Sequence, residues 1–256
     1  MNDIFTEYHP HTVVVLLAVA MLVSWGVAWR LGSRLRDLPS PRAGSKFDDA
    51  SLALLSLLLA FSFGMSLNKH DNRRDMVLAD ANSIGDFYTC VSVLNEPPRS
   101  ELIQLIREYV ELRLKIGDSS HPEAELRVAL PRFQTMQIQM RELVSEAMKK
   151  EDPTLGATLL SSLNRVQNSQ SARLAAVKDR LPPEIIVLLF VSAIVSTILV
   201  GREQGIAARV ELGGTLGFIL VVVLTISVIL DLNQPARGLV SVSQEPIREL
   251  IGRIAK

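Results

Sequence analysis

The chain has 256 residues with 27 basic and 27 acidic side chains, so its formal charge is zero, and 48% of its residues are hydrophobic. Disordered chains need low hydrophobicity and nucleic-acid binders a basic excess, so both classes are excluded. A single cysteine, Cys90, excludes an internal disulfide framework.

The apolar residues fall in four blocks, at about 12–29, 50–67, 184–200 and 212–230. Each has about 17–19 residues, or roughly 27 Å as a helix, close to the hydrocarbon thickness of a bilayer. Glu184, at the edge of the third, is the one charged residue they contain. Backbone polar groups in lipid must be satisfied within the segment, so the blocks are expected to be transmembrane helices. The residues before the first block carry Asp3 and Glu7 but no Lys or Arg, unlike a cleavable signal, so this helix is expected to be retained. Arg30, Arg34, Arg36, Arg42, Lys46, Arg202 and Arg209 flank one set of membrane ends. Arg237, Arg248, Arg253 and Lys256, with Lys69, Arg73, Arg74, Lys178 and Arg180, flank the other. The positive-inside balance therefore has no clear sign.

Between the second and third blocks, residues 68–183 are expected to form a helical extramembrane bundle. Val77, Ala81, Ile84, Tyr88 and Val91 repeat in steps of four and three, which extends the second membrane helix into water. Breaks follow at 95–99, 117–122 and 151–154. Pro98 suits a first helical turn, and Leu102, Leu105, Ile106, Tyr109 and Ile116 share one face of the helix it opens. A third helix is expected over 123–150, kinked or split at Pro131, and a fourth from Thr154 to about Leu181. The fourth carries Leu155, Leu159, Leu163 and Val166, then a polar run at 167–170 that weakens its stripe. Pro182 and Pro183 end it. The architecture is thus all-α: helix pairs in 1–67 and 184–231, the bundle between them, and a tail over 232–256. In that tail Ile247, Leu250, Ile251 and Ile254 line one side of an amphipathic helix, suited either to the membrane interface or to packing on the bundle.

Small residues recur at four-residue steps in the spans: Ala20, Ser24 and Ala28; Ser56, Ala60 and Gly64; Ser192 and Ser196; Gly213 and Gly217. Such stripes let helices approach closely in lipid, within one subunit or between subunits. Leu57, Phe61, Phe63 and Met65 on other faces of the second span suit an apolar constriction in an oligomer. The charged run 68–75 just beyond that span reads as a solvated membrane exit, or as a charged ring in an oligomer. His9, His11, His70 and His121 lack partners at metal-ligand spacing, Cys90 has no nearby base in sequence, and no phosphate loop or nucleophile elbow occurs. No catalytic residue, cofactor or metal is expected, and the chain is not read as an enzyme.

Two stretches carry a likeness to a known family: LLLAFSFGMSLNKHDNRR (57–74), followed by ADANSIG (79–85), and ILDLNQPARGLVSVSQEPI (229–247). With the spacing of the four blocks, they resemble the bacterial bestrophin-like membrane family, a domain without an established function. Asp231, Pro235 and Gly238, with the exit of the second span, are the most specific parts of the likeness. Through bestrophins, it implies a pentameric anion channel with four membrane helices per subunit and a neck lined by second helices. Leu57, Phe61 and Met65, or Phe63 and Leu67, would occupy that neck. Animal bestrophins carry an acidic calcium-binding cluster after the fourth span, where this chain has Asp231 and then Asn233, so calcium gating is not implied. Read locally, Asp231 at a helix C-terminus calls for a partner such as Arg237 or a backbone N–H, with Pro235 and Gly238 shaping a turn. The expected setting is a bacterial inner membrane, and the expected partners are lipid and further copies of the chain, with an ion or an unidentified protein as a further partner. The competing reading is a non-conducting scaffold or sensor that binds a protein through its bundle.

Overall fold

The computed structural model describes residues 10–35, 45–119, 122–234 and 240–254. Among them are eight helices: α1 (Pro10–Arg34), α2 (Ser45–Ser92), α3 (Pro98–Gly117), α4 (Pro122–Ala147), α5 (Pro153–Lys178), α6 (Pro183–Ala207), α7 (Leu212–Asn233) and α8 (Glu245–Ile254). No strand occurs among the described residues. Four helical stretches are long and apolar enough to cross a membrane, one in each predicted block. The chain divides into two compact units, Met1–Asn68 with Arg180–Gln234, and Lys69–Asp179 with Pro235–Lys256.

In the first unit, α1 and α6 run parallel in close contact. Ser24 Oγ lies 3.0 Å from Thr197 Oγ1, and the same offset of 173 residues pairs Ala28 with Gly201 and Gly32 with Gly205. A Cβ added at Gly201 would stand 2.5 Å from the Trp25 carbonyl oxygen, and one at Gly32 2.5 Å from that of Arg202. Gly205 is tighter still, against the Trp29 carbonyl. Lipid offers no hydrophobic drive between helices, so this backbone-to-backbone packing supplies the attraction. Val14, Leu17, Met21, Leu55, Ile186, Ala193, Ile219, Val222 and Ile226 fill the core between the spans. The outward sides stay apolar, as in Val15, Leu16, Val19, Leu220 and Val221.

Chain geometry explains the ends of α6. Pro182 and Pro183 have no N–H, so Leu181 carries the last donor before the span, and Asn233 Oδ1 at the end of α7 accepts it at 2.7 Å. At the other end Ala208 adopts a left-handed conformation, φ 58° and ψ 22°. That geometry strains any residue with a Cβ. Ala208→Gly should therefore stabilise the unit by about 0.5–1 kcal/mol, read as a higher unfolding midpoint in detergent.

In the second unit, the upper part of α2 joins α3, α4, α5 and α8 around one core. Val77, Ala81, Ile84, Phe87 and Val91 of α2 meet Leu102, Ile106 and Tyr109 of α3, Phe133 and Met140 of α4, and Leu159, Leu163 and Val166 of α5. Helix α4 runs unbroken through Pro131. The tail helix α8 packs on this bundle, with Ile247, Leu250 and Ile254 buried in the same core. Arg107 donates to the Ile254 carbonyl at 2.7 and 3.1 Å, and Arg248 pairs with Asp118 at 2.7 Å.

Two helix starts in this unit depend on carboxylates. Asp152 accepts the Thr154 N–H at 2.7 Å, and Glu96 accepts the Ser100 N–H at 3.2 Å. Both are held below the ordinary carboxylate range, Asp152 by the Thr154 donors and Glu96 by those of Ser100. A depressed carboxylate contributes stability above its unfolded pKa and loses it as pH falls through the lower folded value. The first turns of α3 and α5 should therefore fray below about pH 4. Amide exchange corrected for its intrinsic rate will read this, and Asp152→Asn, which keeps an acceptor, should flatten the response at α5.

Candidate functional site

The membrane part of α2 has two unlike sides. Leu55, Ser62 and Ser66 are buried, at steps of seven and four, with Ser66 Oγ donating to the Ile229 carbonyl at 3.3 Å. The outward side carries Leu54, Leu57, Phe61 and Met65, and Phe61 is 64% exposed. Phe63 is also exposed but lies off this row. Ser56, Ala60 and Gly64 are exposed too. Ser56 donates to the Leu52 carbonyl, and a Cβ on Gly64 would meet nothing within 4 Å. Gly213 and Gly217 are equally open. Among the described residues, the expected stripe Ser56–Ala60–Gly64 and the pair Gly213–Gly217 thus stay exposed, with no helix packed closely on them. Close packing inside the unit falls to Ala28, Gly32, Ala193, Thr197, Gly201 and Gly205. On α6 those positions also recur every four residues, one step off Ser192 and Ser196.

Asp231 is buried at the end of α7, where its carbonyl accepts the Gln234 N–H. Pro235, Arg237 and Gly238 lie outside the described residues. From the charged run after the second span, Arg73 is buried and donates to the carbonyls of Ala176 and Asp179, at 3.2 and 3.0 Å. Lys69 pairs with Asp179 at 2.5 Å. Both cations therefore sit at the C-terminal end of α5, where they complement its dipole.

The second unit encloses a charged cluster. Asp80 is fully buried, and its carboxylate receives Arg113 at 3.1 and 3.2 Å, Arg173 at 3.0 Å and the Ser169 hydroxyl at 3.0 Å. Arg113 also donates to Tyr109 Oη at 2.8 Å, and Tyr109 donates to Gln170 Oε1 at 2.9 Å, which accepts from Gln137 as well. Arg173 reaches Gln244 at 2.8 Å and so ties the segment just before α8 into the cluster. The Arg113 guanidinium lies 5.0 Å from the Tyr109 ring and 5.2 Å from the Phe133 ring. Its Nε has no hydrogen-bond partner among the described residues, and the aromatic faces add to the offset of its charge by Asp80. Burial pushes Arg113 down, while Asp80 and Tyr109 push it up and prevail, so it stays charged.

The apolar stripes alone do not mark this cluster, although the sequence carries a signal of it. Arg113 occupies the missing step between Tyr109 and Ile116, and the polar run 167–170 supplies Ser169 and Gln170. A charge at a core position of a stripe marks a partner on a facing helix. The described residues hold no group of three or more His, Cys, Asp or Glu side chains able to hold a metal.

A family model described as the Bestrophin-like domain matches residues 12–247, from the first span to the start of α8. The chain belongs to the Bestrophin-like family. No curated protein and no solved structure matches it. Four apolar helices and a domain match across all of them make this Bestrophin-like protein a multi-pass membrane protein. The match covers the outward row of α2, the charged cluster and Asp231 alike.

Proposed function

We propose that the chain forms an oligomeric, bestrophin-like ion channel or transport-related assembly in a bacterial inner membrane, and that it is not an enzyme. The observation that supports this is the outward row of α2. Leu57, Phe61 and Met65 face away from the chain's own core, beside Gly64, whose surface is open. One four-span unit has no axis for a pore. Several α2 helices around a common axis would turn the row into an apolar constriction that gates by dewetting. Five copies is the number carried over from bestrophins. Lipid and sister subunits are then the partners, and the conducted ion is the ligand.

The first test is the mass of the purified protein in detergent, corrected for bound detergent. A mass near five times 28.2 kDa is expected, and ion flux in liposomes is measured next. Phe61→Ala should raise flux without changing the mass, because it widens an apolar gate. Unchanged flux in that variant removes Phe61 from the constriction. A monomer or dimer that persists in nanodiscs and carries no flux overturns the channel reading in favour of a membrane scaffold that binds a protein through its bundle.

A further inference from the structure

The turn from α6 into α7 frames a groove of about 490 Å³ in the first unit. Leu52, Val200 and Phe218 line its apolar part, and Glu203, Arg209 and Glu211 its charged part. Its floor is fixed by hydrogen bonds. Gln204 accepts from Trp25 Nε1 at 3.1 Å and donates to the buried Thr215 hydroxyl at 2.8 Å, which joins α1, α6 and α7. The left-handed Ala208 ends α6 just before Arg209. The groove lies where two membrane helices end, so one part suits hydrocarbon and the other water.

We propose that this groove binds a phospholipid whose headgroup carries a primary ammonium, as phosphatidylethanolamine does. Two carboxylates against one guanidinium make the charged part net negative, which selects a cationic group. A primary ammonium brings three N–H donors for Glu203 and Glu211, and charge-assisted bonds of this kind are the strong ones. Arg209 suits the phosphate with its planar fork of donors. Leu52, Val200 and Phe218 take the start of the acyl chains, in keeping with pockets that combine an apolar lining and a few placed polar groups. A choline headgroup has no N–H to donate, and an anionic glycerol headgroup would be repelled by two carboxylates. The site stands apart from conduction, since it needs only the spans of one chain.

The test uses the full chain in mixed micelles with equimolar phosphatidylethanolamine, phosphatidylcholine and phosphatidylglycerol of matched acyl chains, with retained lipid counted by native mass spectrometry. Phosphatidylethanolamine should be retained about fivefold over phosphatidylcholine, the factor that one net hydrogen bond supplies. The double variant Glu203→Gln, Glu211→Gln should lose that preference while its unfolding midpoint in phosphatidylcholine stays unchanged. Equal retention of the two lipids, or an undiminished preference in the double variant, overturns the proposal. So does preferred phosphatidylglycerol that Arg209→Gln abolishes, which would assign an anionic headgroup instead. Soluble phosphoethanolamine should fail to displace the lipid at equal concentration. Displacement would show that the apolar part contributes nothing and would also overturn the site.

Discussion

Asp80→Ala should destabilise the extramembrane unit by about 3–5 kcal/mol, because it strands two buried guanidiniums on one missing carboxylate. Arg113 and Arg173 are 5% and 13% exposed, so water cannot replace Asp80 cheaply. The loss is measured as a shift in the denaturant midpoint of the detergent-solubilised protein, followed by fluorescence from a probe in the bundle. Removing the guanidiniums as well should recover much of it. Asp80→Leu combined with Arg113→Met and Arg173→Met leaves no orphan charge, and such replacements of a buried ion cluster are often neutral or better. The effects are therefore strongly non-additive. A cost below about 1 kcal/mol for Asp80→Ala would mean that the cluster is hydrated and would remove it as the anchor of the bundle. The same cluster holds the tail, since Arg173 donates to Gln244. Asp80→Ala should thus expose the segment before α8 to protease earlier than it exposes α3.

Gly205→Val should separate α1 from α6 and cost about 3 kcal/mol, the upper end for overpacking. The added side chain would meet the Trp29 carbonyl and the backbone of Gly32 and Ser33, and backbone cannot yield as a flexible side chain can. Thermal unfolding in detergent, with a cysteine pair across the α1–α6 seam as reporter, reads the effect. Gly217→Val is the matched control. A Cβ there meets nothing within 4 Å, so the variant should keep its unfolding midpoint. If Gly217 lies against a sister subunit, the variant instead lowers the mass of the complex and leaves the fold of each chain intact. Equal loss of stability in the two variants would refute the assignment of close packing to Gly32, Gly201 and Gly205.

These two sites show unequal legibility in sequence. The four spans were readable because a bilayer imposes both a length and an absence of charge, and those constraints act on each segment separately. The helices of the bundle were readable from their stripes, since Leu159, Leu163 and Val166 repeat at the helical period whatever faces them. The likeness to the Bestrophin-like family was carried by short stretches around the exits of α2 and α7. Four-residue spacing of small residues also marked the right kind of contact. It did not choose among candidates, because Gly64 and Gly201 satisfy the same pattern while only Gly201 meets a neighbouring backbone.

By itself, then, the sequence determined an all-α membrane protein with four spans, a helical region between the second and third, and an amphipathic tail. Periodicity and segment hydropathy are properties of one element at a time, and they need no knowledge of neighbours. Tertiary structure alone decided which small residues carry the α1–α6 contact and that α8 packs on the bundle rather than lying in the membrane interface. It alone gathered Asp80, Arg113 and Arg173, from three helices, around one carboxylate. Each of these depends on which face of one helix meets which face of another, at separations of 33 to 173 residues along the chain. A stripe shows that a face is buried, but its partner is chosen by the packing of the whole unit.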